Sequence, residues 1–301
     1  YRTDKYEQPD TDFPTDVRTM VLQGDTLWIG SLNGLYTYQL KSRQLNHFDS
    51  KQTGLPHNTI YSVIQTKDNQ IYIGTYNGLC RYVQASGKFE NILLPVNRGG
   101  SNLFVNSLLE DTTRQCIWIG MEGYLFQYNP TTGEMKAIEV FHNNSIKSLA
   151  LDGDENLLAG TDNGLYVYQN DKEPLQHIIH DSRNIQSLTN NIIWNIFSDQ
   201  EHNIWLGTDY GISLSRYNSA LQFVPISQIT GTGDGNQFYS LFRDSKGFYW
   251  FGGTNGVIRF THPAGNKHDA IWYRMGDKNH PLSHNRIRHI YEDREQKYQP
   301  L

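Results

Sequence analysis

The stretch IYIGTYNGLCRY, residues 71–82, decides the fold because it describes a hairpin that the chain repeats. Alternating apolar residues precede Gly74. A short segment separates Gly74 from Gly78, and further apolar residues follow Gly78. An Asn-Gly pair favours the positive φ angles of tight hairpin turns. Five more segments have this form: LWIGSLNGLYTY (27–38), IWIGMEGYLFQY (117–128), LLAGTDNGLYVY (157–168), IWLGTDYGISLSRY (204–217) and YWFGGTNGVIRF (249–260).

The first glycine of each hairpin recurs at a nearly constant interval. The successive spacings are 44, 46, 40, 47 and 45 residues, between Gly30, Gly74, Gly120, Gly160, Gly207 and Gly252. A period near 45 indicates a repeat architecture. We expect the two glycines of each hairpin to make its turn tight.

One repeat, residues 55–94, contains four short strand patterns separated by turns. IYSVIQ, IYIGT, LCRYVQ and KFENILL alternate apolar and polar residues or are rich in β-formers, and the segments between them are turn formers. Most repeats place an aspartate in the first turn, where we expect its side chain to bond the local backbone. No segment shows a persuasive helical period.

Four-stranded antiparallel units in series predict an all-β fold, a β-propeller, because blades stacked radially bury each other's faces. Six full repeats cover residues from about 15 to 281, with partial repeats at 1–14 and 282–301. The segment LSHNRIRHIYEDREQ (282–296) parallels LPHNTIYSVIQTKDNQ (55–70). We therefore predict one domain over residues 1–301, a seven-bladed propeller whose seventh blade is incomplete in this chain.

An aromatic residue precedes the first glycine in most copies, at Trp28, Tyr72, Trp118, Trp205 and Trp250. Its place within an alternating strand favours packing between blades, and a platform for carbohydrate is the alternative. The two cysteines, Cys80 and Cys116, lie at different places in different repeats. We expect two buried thiols, although a disulfide is also open.

Composition excludes several classes of protein. Of 301 residues, 19% are charged and 13% are aromatic, and the net charge is −5. No run of Lys or Arg suggests a nucleic-acid partner, and no apolar stretch approaches the ~18 residues of a membrane span. The first residue is Tyr1, which indicates a processed or truncated chain.

The composite pattern LPxNxIxxIxxDxxGxIWIGTxxGLxRY resembles the two-component regulator propeller repeat. The best matches are LPHNTIYSVIQTKDNQIYIGTYNGLCRY (55–82) and SLTNNIIWNIFSDQEHNIWLGTDYGI (187–212), and the pattern covers residues 15–296. Three copies depart from it: LLAG (157–160) lacks the aromatic residue, Gly123 comes one place early, and ISLSRY has two extra residues.

This resemblance implies the periplasmic sensor region of a hybrid two-component system of Bacteroides-like bacteria. It implies an inner-membrane protein with two seven-bladed propellers, an immunoglobulin-like domain, a membrane helix, a histidine kinase and often a DNA-binding output. It also implies recognition of an oligosaccharide derived from a polysaccharide, contact with a second propeller or adjacent domain, and a homodimer of the full sensor. No kinase or helix-turn-helix motif occurs in this sequence.

Catalytic and metal-binding patterns are weak. The carboxylates Asp152, Asp154, Asp199, Asp244 and Asp293 all fall in one repeated turn, which favours a structural role. The hairpin DSKGFYWFG (244–252) resembles those of Asp-box glycosidases, so an enzyme stays an alternative. The pairs His177/His180 and His280/His284 lie in strand or loop context without a completing ligand, so we predict no metal site and no cofactor.

The loops entering the first strand and those joining the second to the third share one face of a propeller. Polar and aromatic residues gather there, and many of them are turn formers: His57, Asn58, Asn77, Asn102, His142, Asn143, Asp162, Asn191, Asp209, Asn236, Gln237, His284 and Asn285. Positions that vary between repeats are better ligand candidates. These are Tyr76, Glu122, Tyr124, Trp194, Tyr210 and Arg286.

We therefore predict a non-catalytic, periplasmic ligand-sensing propeller that contacts neither nucleic acid nor membrane. The alternatives are a polysaccharide-degrading enzyme, either a lyase or an Asp-box hydrolase, and a protein-interaction scaffold. An enzyme would need an acid pair outside the repeated pattern, and a scaffold would need an exposed apolar patch. Fold alone does not separate them.

Overall fold

The computed structural model describes residues 14, 16–96, 103–138, 144–170, 175–230, 236–261, 270–292 and 298–300. Within these residues the protein is a β-propeller of six four-stranded antiparallel sheets, called blades 1 to 6 in chain order. In every blade the four strands are adjacent in the order in which they occur in the chain. The predicted all-β class and the four-strand repeat are therefore confirmed.

The strands are short, as the spacing of turn residues predicts. Blades 1 to 3 comprise β1 Val17–Gln23, β2 Thr26–Ser31, β3 Gly34–Gln39, β4 Leu45–Phe48, β5 Ile60–Gln65, β6 Ile71–Thr75, β7 Gly78–Val83, β8 Lys88–Ile92, β9 Val105–Asp111, β10 Cys116–Met121, β11 Leu125–Tyr128 and β12 Met135–Ile138. Blades 4 to 6 comprise β13 Ile146–Leu151, β14 Leu157–Thr161, β15 Gly164–Tyr168, β16 Gln176–Ile178, β17 Ile193–Ser198, β18 Ile204–Thr208, β19 Gly211–Ser215, β20 Phe223–Pro225, β21 Phe238–Arg243, β22 Tyr249–Gly253, β23 Gly256–Phe260 and β24 Ile271–Tyr273.

The prediction of seven blades is wrong, because the structure has six. The seventh copy of the motif supplies only β25 (Ile290–Glu292), which pairs with β26 (Tyr298–Pro300) in a two-stranded sheet. Among the described residues from 282 onward, these two strands are half of a blade. The partial repeat predicted at residues 1–14 lies outside the described residues except for residue 14.

A short helix, α1 (Ile226–Thr230), follows blade 5 and was not expected from the sequence. Ile226 is buried and joins the apolar cluster shared by blades 5 and 6. A single turn of five residues is too short to show a 3.6-residue apolar period.

The chain divides into two compact units. The described residues up to Ile146 form the N-terminal unit, with blades 1 to 3, and those from Lys147 onward form the C-terminal unit, with blades 4 to 6. Within each unit the apolar clusters lie between successive blades rather than inside one sheet. In the N-terminal unit, for example, Trp28 and Leu35 of blade 1 pack with Ile60 and Ile73 of blade 2.

The repeated aromatic residue packs between blades, as predicted. Trp118 and Trp205 have no exposed surface. The Trp205 ring lies 4.8 Å from the ring of Tyr249 and 5.3 Å from that of Phe251, both in blade 6. A side chain held in this way offers no face to a sugar, so the carbohydrate platform is wrong for these positions.

The turn aspartates hold these tryptophans in place. Asp199 accepts backbone hydrogen bonds from Glu201 and Asn203 through Oδ1, and its Oδ2 accepts the Trp205 indole N–H at 2.8 Å. Asp244 binds the Trp250 indole in the same way, at 2.7 Å. The predicted local backbone contact is confirmed, and the sequence did not reveal the bond to the indole.

Blade 3 repeats this arrangement with one additional cation. Asp111 accepts the Trp118 indole N–H at 3.0 Å and the Arg114 guanidinium at 2.7 Å. Burial alone would raise the pKa of Asp111, but hydrogen bonds from Arg114 and Trp118 outweigh it and lower the pKa below its usual value. A buried carboxylate with this many donors remains ionised and structural.

In five of the six hairpins the first glycine allows blades to approach closely rather than shaping the turn. A methyl group at Gly207 would lie 2.6 Å from the backbone oxygen of Phe238, in the first strand of the next blade. A methyl group at Gly160 would lie 2.6 Å from Cγ2 of Ile193 in the same relation. The expectation that both glycines serve the turn is thus wrong for the first of them.

The second glycine and the residue after the first glycine do shape the turn. Gly78 has φ +116° and Gly34 has φ +139°, in the region that favours glycine. The Thr75 hydroxyl donates to the Gly78 carbonyl at 2.9 Å and accepts from the Asn77 N–H at 3.1 Å. Ser31, Thr161 and Thr208 close their turns in the same way.

Both cysteines are buried free thiols, which confirms the expectation. Burial raises the pKa of the Cys116 thiol to about 11 and raises that of Cys80 as well. Neither thiol has the ionised character that nucleophilic cysteines need.

Candidate functional site

Three of the predicted ligand residues lie in the N-terminal unit, at the turns between second and third strands. Tyr76 is partly exposed, and its ring packs 4.1 Å from the ring of Phe104 and 4.9 Å from that of His57. Glu122 is exposed and forms an isolated β-bridge with Ser145. Tyr124 stacks on Phe126 with a centroid separation of 5.7 Å.

The other three lie in the C-terminal unit. Tyr210 is 57% exposed at the tip of the β18–β19 turn. Arg286 is exposed in the loop before β25. Trp194 is half-buried in β17, and its indole N–H donates to Asp209 at 3.0 Å. Trp194 is thereby linked to the turn that carries Tyr210, whereas Arg286 is linked to neither by a described contact.

Several of the polar loop residues serve loop geometry. Asn58, Asn191 and Asn285 each accept a backbone N–H with the side-chain oxygen, from Ser50, His180 and Met275. The Nδ1 atoms of His57 and His284 accept the backbone N–H two residues later. Their positions recur because the loop requires them. Asn102, His142, Asn143 and Asp293 lie outside the described residues.

A β-bulge marks the start of the first strand in blades 1, 2, 3, 5 and 6. In each of these strands the register skips one residue: Arg18, Tyr61, Asn106, Trp194 and Tyr239. Lys147 and Arg288 occupy the same place in the sequence of blade 4 and of the seventh copy. All seven side chains are half-buried. In a strand, successive side chains point to opposite faces of the sheet, and a bulge turns one side chain out of this order. Bulges are frequent next to functional sites.

In the C-terminal unit the two bulged residues, and the residues at the equivalent places of blade 4 and the seventh copy, contact one another in a row. The Lys147 ammonium lies 4.7 Å from the centre of the Trp194 ring. The Trp194 ring meets that of Tyr239 edge-on at 5.4 Å. The Arg288 guanidinium lies 4.1 Å from the centre of the Tyr239 ring. We call these four residues the bulge row.

Two polar side chains brace the middle of the bulge row. Oδ1 of Asp209 accepts the Trp194 indole and also the Gln237 amide, at 3.0 and 2.6 Å. The Gln237 oxygen accepts the Tyr239 hydroxyl at 2.5 Å. Among the described residues, Oδ2 of Asp209 has no hydrogen-bond donor. The row therefore joins two aromatic rings, an amide and a carboxylate with one unbonded oxygen in a connected network.

The equivalent residues of the N-terminal unit are less closely connected. The Arg18 guanidinium lies 5.9 Å from the centre of the Tyr61 ring, and Tyr61 contacts Phe104 at 6.1 Å. Asn106 donates to the Ser145 hydroxyl at 3.3 Å. Phe104 also packs against Tyr76, so one predicted ligand residue adjoins the bulged positions here.

Carboxylates and histidines elsewhere are occupied by local contacts. Asp152 accepts the backbone N–H groups of Asp154 and Asn156, and Asp154 accepts the Tyr217 hydroxyl. His177 stacks on Tyr166 at 4.1 Å. The described part of the chain contains no group of three or more side chains able to hold a metal ion.

The fold and these surfaces define the class of protein: a β-propeller with variable side chains on a repeated framework. Three segments, residues 54–77, 187–210 and 232–255, match the family model of the two component regulator propeller. The chain therefore carries two component regulator propeller repeats, as the sequence resemblance predicted.

Two solved structures of an extracellular domain from B. thetaiotaomicron are 81% and 82% identical to the chain. Each belongs to the protein BT4673, described in one case as a one component system and in the other as a hybrid two component system. Each covers 99% of this chain with a TM-score of 0.69, and the chain covers 40% of each. The extracellular domain of the hybrid two component system BT3049 from the same organism is 18% identical, with a TM-score of 0.76 over 94% of this chain and 38% of its own; it shares the fold.

A curated relative, Histidine kinase P4 of Formosa agariphila, is 26% identical over 278 residues. The match covers 81% of this chain and 19% of the relative. The chain thus spans about a fifth of that protein and two fifths of the extracellular domains that it matches. No helix within the described residues is long and apolar enough to cross a membrane.

Proposed function

We propose that this chain is part of the periplasmic sensing region of a hybrid two-component signalling protein, and that it recognises a polysaccharide-derived oligosaccharide. The observation that supports this most directly is the 81% identity to the extracellular domain of BT4673. On this proposal the chain itself is non-catalytic, and the signal reaches a histidine kinase beyond it.

The proposal includes the partners of the sensor. The chain contacts a second propeller or adjacent domain of the same protein, and the full sensor is a homodimer in the inner membrane. Neither nucleic acid nor membrane is a partner of this region. The 40% coverage of the related extracellular domain leaves room for such domains.

The test is a transcriptional reporter controlled by the whole protein in its bacterial host. Cells receive one polysaccharide at a time as the carbon source, and deletion of the blades described here is the control. We expect induction by one polysaccharide or a small related group, and loss of induction in the deletion strain. Equal expression on every polysaccharide would refute carbohydrate sensing. Induction that survives the deletion would assign recognition to another region.

The turn carboxylates give no support to the enzymatic alternative. Asp199 and Asp244 are almost fully buried and hold backbone N–H and indole donors. A glycosidase needs one carboxyl group that protonates the leaving oxygen and a second facing the sugar. Side chains committed to four or more structural contacts, as Asp199 is, are unavailable for that chemistry.

A further inference from the structure

The bulge row combines half-burial with variability, a combination that the fold does not demand. The residue before each bulge is apolar in every copy, as Ile146, Ile193, Phe238 and Ile287 show. The residue that follows is a lysine, a tryptophan, a tyrosine or an arginine. Trp194 and Tyr239 occupy bulges of the same kind, and Lys147 and Arg288 have the same place in the repeat, so backbone geometry does not explain these choices. Contact with a ligand, whose structure does not follow the repeat of the protein, would explain them.

The side chains of the row are held in place before any ligand arrives. The Trp194 ring is fixed by its bond to Asp209 and by its contacts with Lys147 and Tyr239. Tyr239 is fixed by Gln237 and Arg288. Pre-ordered side chains lower the entropic cost of binding.

We propose that the bulge row, with Asp209 and Gln237, is a binding site for a neutral oligosaccharide; this inference rests on the proposed function and gives it a location. Aromatic rings suit the apolar faces of sugar rings, and the Asp209 carboxylate and Gln237 amide suit hydroxyl groups. The row continues over four side chains, so it accommodates more than a single sugar.

The position of Asp209 favours a neutral ligand at the middle of the row, whereas each end carries a cation. Asp209 lies at the middle of the row, where its carboxylate would repel a uronate or a sulfate. The cations Lys147 and Arg288 lie at the two ends and are directed at the ring faces of Trp194 and Tyr239. Each cation stabilises the neighbouring aromatic ring through a cation–π interaction.

The test measures binding by the complete extracellular region with titration calorimetry. The probes are neutral tetrasaccharides of β-1,4-glucan, β-1,4-galactan, β-1,4-mannan, β-1,4-xylan and α-1,4-glucan, and the acidic probe is tetragalacturonate. The variants are Trp194→Ala and Gln237→Ala. The matched control is Tyr217→Ala, because Tyr217 is an exposed aromatic residue of blade 5 outside the row. Thermal unfolding of each variant checks that it is folded.

We expect one neutral probe to bind the unmodified and Tyr217→Ala proteins equally. The same probe should bind at least tenfold more weakly to Trp194→Ala and Gln237→Ala. Equal binding by all four proteins would overturn the site and leave carbohydrate sensing intact. Binding of tetragalacturonate alone, or of no probe, would overturn the neutral ligand class. The reporter strain then judges the proposed function separately, since its response does not depend on where the sugar binds.

Discussion

Trp205 shows how one repeated side chain can serve two purposes at the scale of a residue. Its ring fills the space between blades 5 and 6, and its indole N–H reaches the buried carboxylate of Asp199. Asp199 also accepts the hydroxyl of Tyr249 from the next blade at 3.0 Å. The hydrogen bond from Tyr249 to Asp199 therefore joins the turn of blade 5 to the core of blade 6.

Truncation of Trp205 separates these two contributions. We expect Trp205→Ala to lower the free energy of unfolding by ~3–5 kcal/mol, as for other buried aromatic residues. Trp205→Phe retains most of the packing and should cost ~1–3 kcal/mol, because Asp199 loses a donor while buried. Urea unfolding measures both values. Trp194→Phe is the matched control, since it loses an indole hydrogen bond at a half-buried position. If it lowers the free energy of unfolding as much as Trp205→Phe does, burial does not set the size of the loss.

Substitution of the first glycines tests whether they permit close approach of the blades. Gly207→Ala places a methyl group against a backbone oxygen, which cannot move without β21, and should cost ~1–3 kcal/mol. Gly160→Ala meets the Ile193 side chain, which can adjust, so it should cost less. Chemical unfolding of both variants gives the comparison. A stabilisation of ~0.4–1 kcal/mol, typical of glycine replacement at a compatible position, would show that the space is open.

The thiols are expected to be unreactive in the folded protein. Cys80 and Cys116 are almost fully buried and their pKa values are raised, so little thiolate is available. Ellman's reagent at pH 8 should label neither thiol in the native state and both in guanidinium chloride. Rapid labelling of the native protein would place at least one thiol at the surface.

The sequence revealed the residues that recur but not always their task. It predicted the buried tryptophans and the turn aspartates because periodic patterns report burial and turn formation directly. It did not reveal the role of Gly207, because that glycine faces a residue of the next blade. It did not reveal the indole bond of Asp199 either, because a turn pattern does not show which side chain the second carboxylate oxygen meets. Of the predicted ligand residues, only Trp194 belongs to the bulge row. Lys147, Tyr239 and Arg288 were missed, although their constant place after a buried apolar residue was a signal.

At the scale of the element, burial falls from the second to the fourth strand of a blade. The second strands β6, β14 and β18 are buried at every position, whereas the fourth strands β12 and β16 are largely exposed. First strands of successive blades also bond directly: the Ile196 N–H donates to the Ser148 hydroxyl at 3.0 Å. The inner strands therefore carry the cohesion within each unit.

Hydrogen exchange should reflect this gradient. Amides in β18 (Ile204–Thr208) should exchange about a hundredfold or more slowly than those in β16 (Gln176–Ile178), because opening an outer strand exposes little apolar surface. Mass spectrometry of short peptic peptides resolves the two segments. Equal protection would mean that each blade opens only as a whole.

At the scale of the whole molecule, the sequence predicted the wrong number of blades. Repeat length and strand order follow from local patterns, and these were correct. The blade count depends on how many strands a partial repeat contributes, and the described residues of the seventh copy contribute β25 and β26. Local periodicity says nothing about such long-range pairing.

The stability of the whole molecule should depend on pH through His289. Burial lowers the pKa of His289 to about 4, from an ordinary value of 6.5. The unfolded chain thus binds more protons than the folded protein between these values, so stability is lost as the pH falls from 6.5 towards 4. For this group the loss between pH 7.5 and pH 5 should be about 1–2 kcal/mol, the lower figure because part of the ring remains exposed.

Urea unfolding of the unmodified protein and of His289→Gln at both pH values isolates this effect. The variant should lose less stability on acidification, because glutamine does not titrate. His180→Gln is the control, since His180 lies in an exposed loop. The same loss of stability in His289→Gln as in the unmodified protein would mean that His289 does not couple folding to pH here.

The bulge at the head of the first strand in blades 1, 2, 3, 5 and 6 has a consequence for how such proteins diversify. A codon change at most positions of the repeat alters packing, a turn or the approach of a neighbouring blade, and selection must repair the damage. At a bulged position the side chain points out of the alternation, so a lysine can be exchanged for a tryptophan with little effect on folding. Duplicated genes can therefore acquire new preferences through a few substitutions at register-equivalent places, while the rest of the repeat stays under purifying selection.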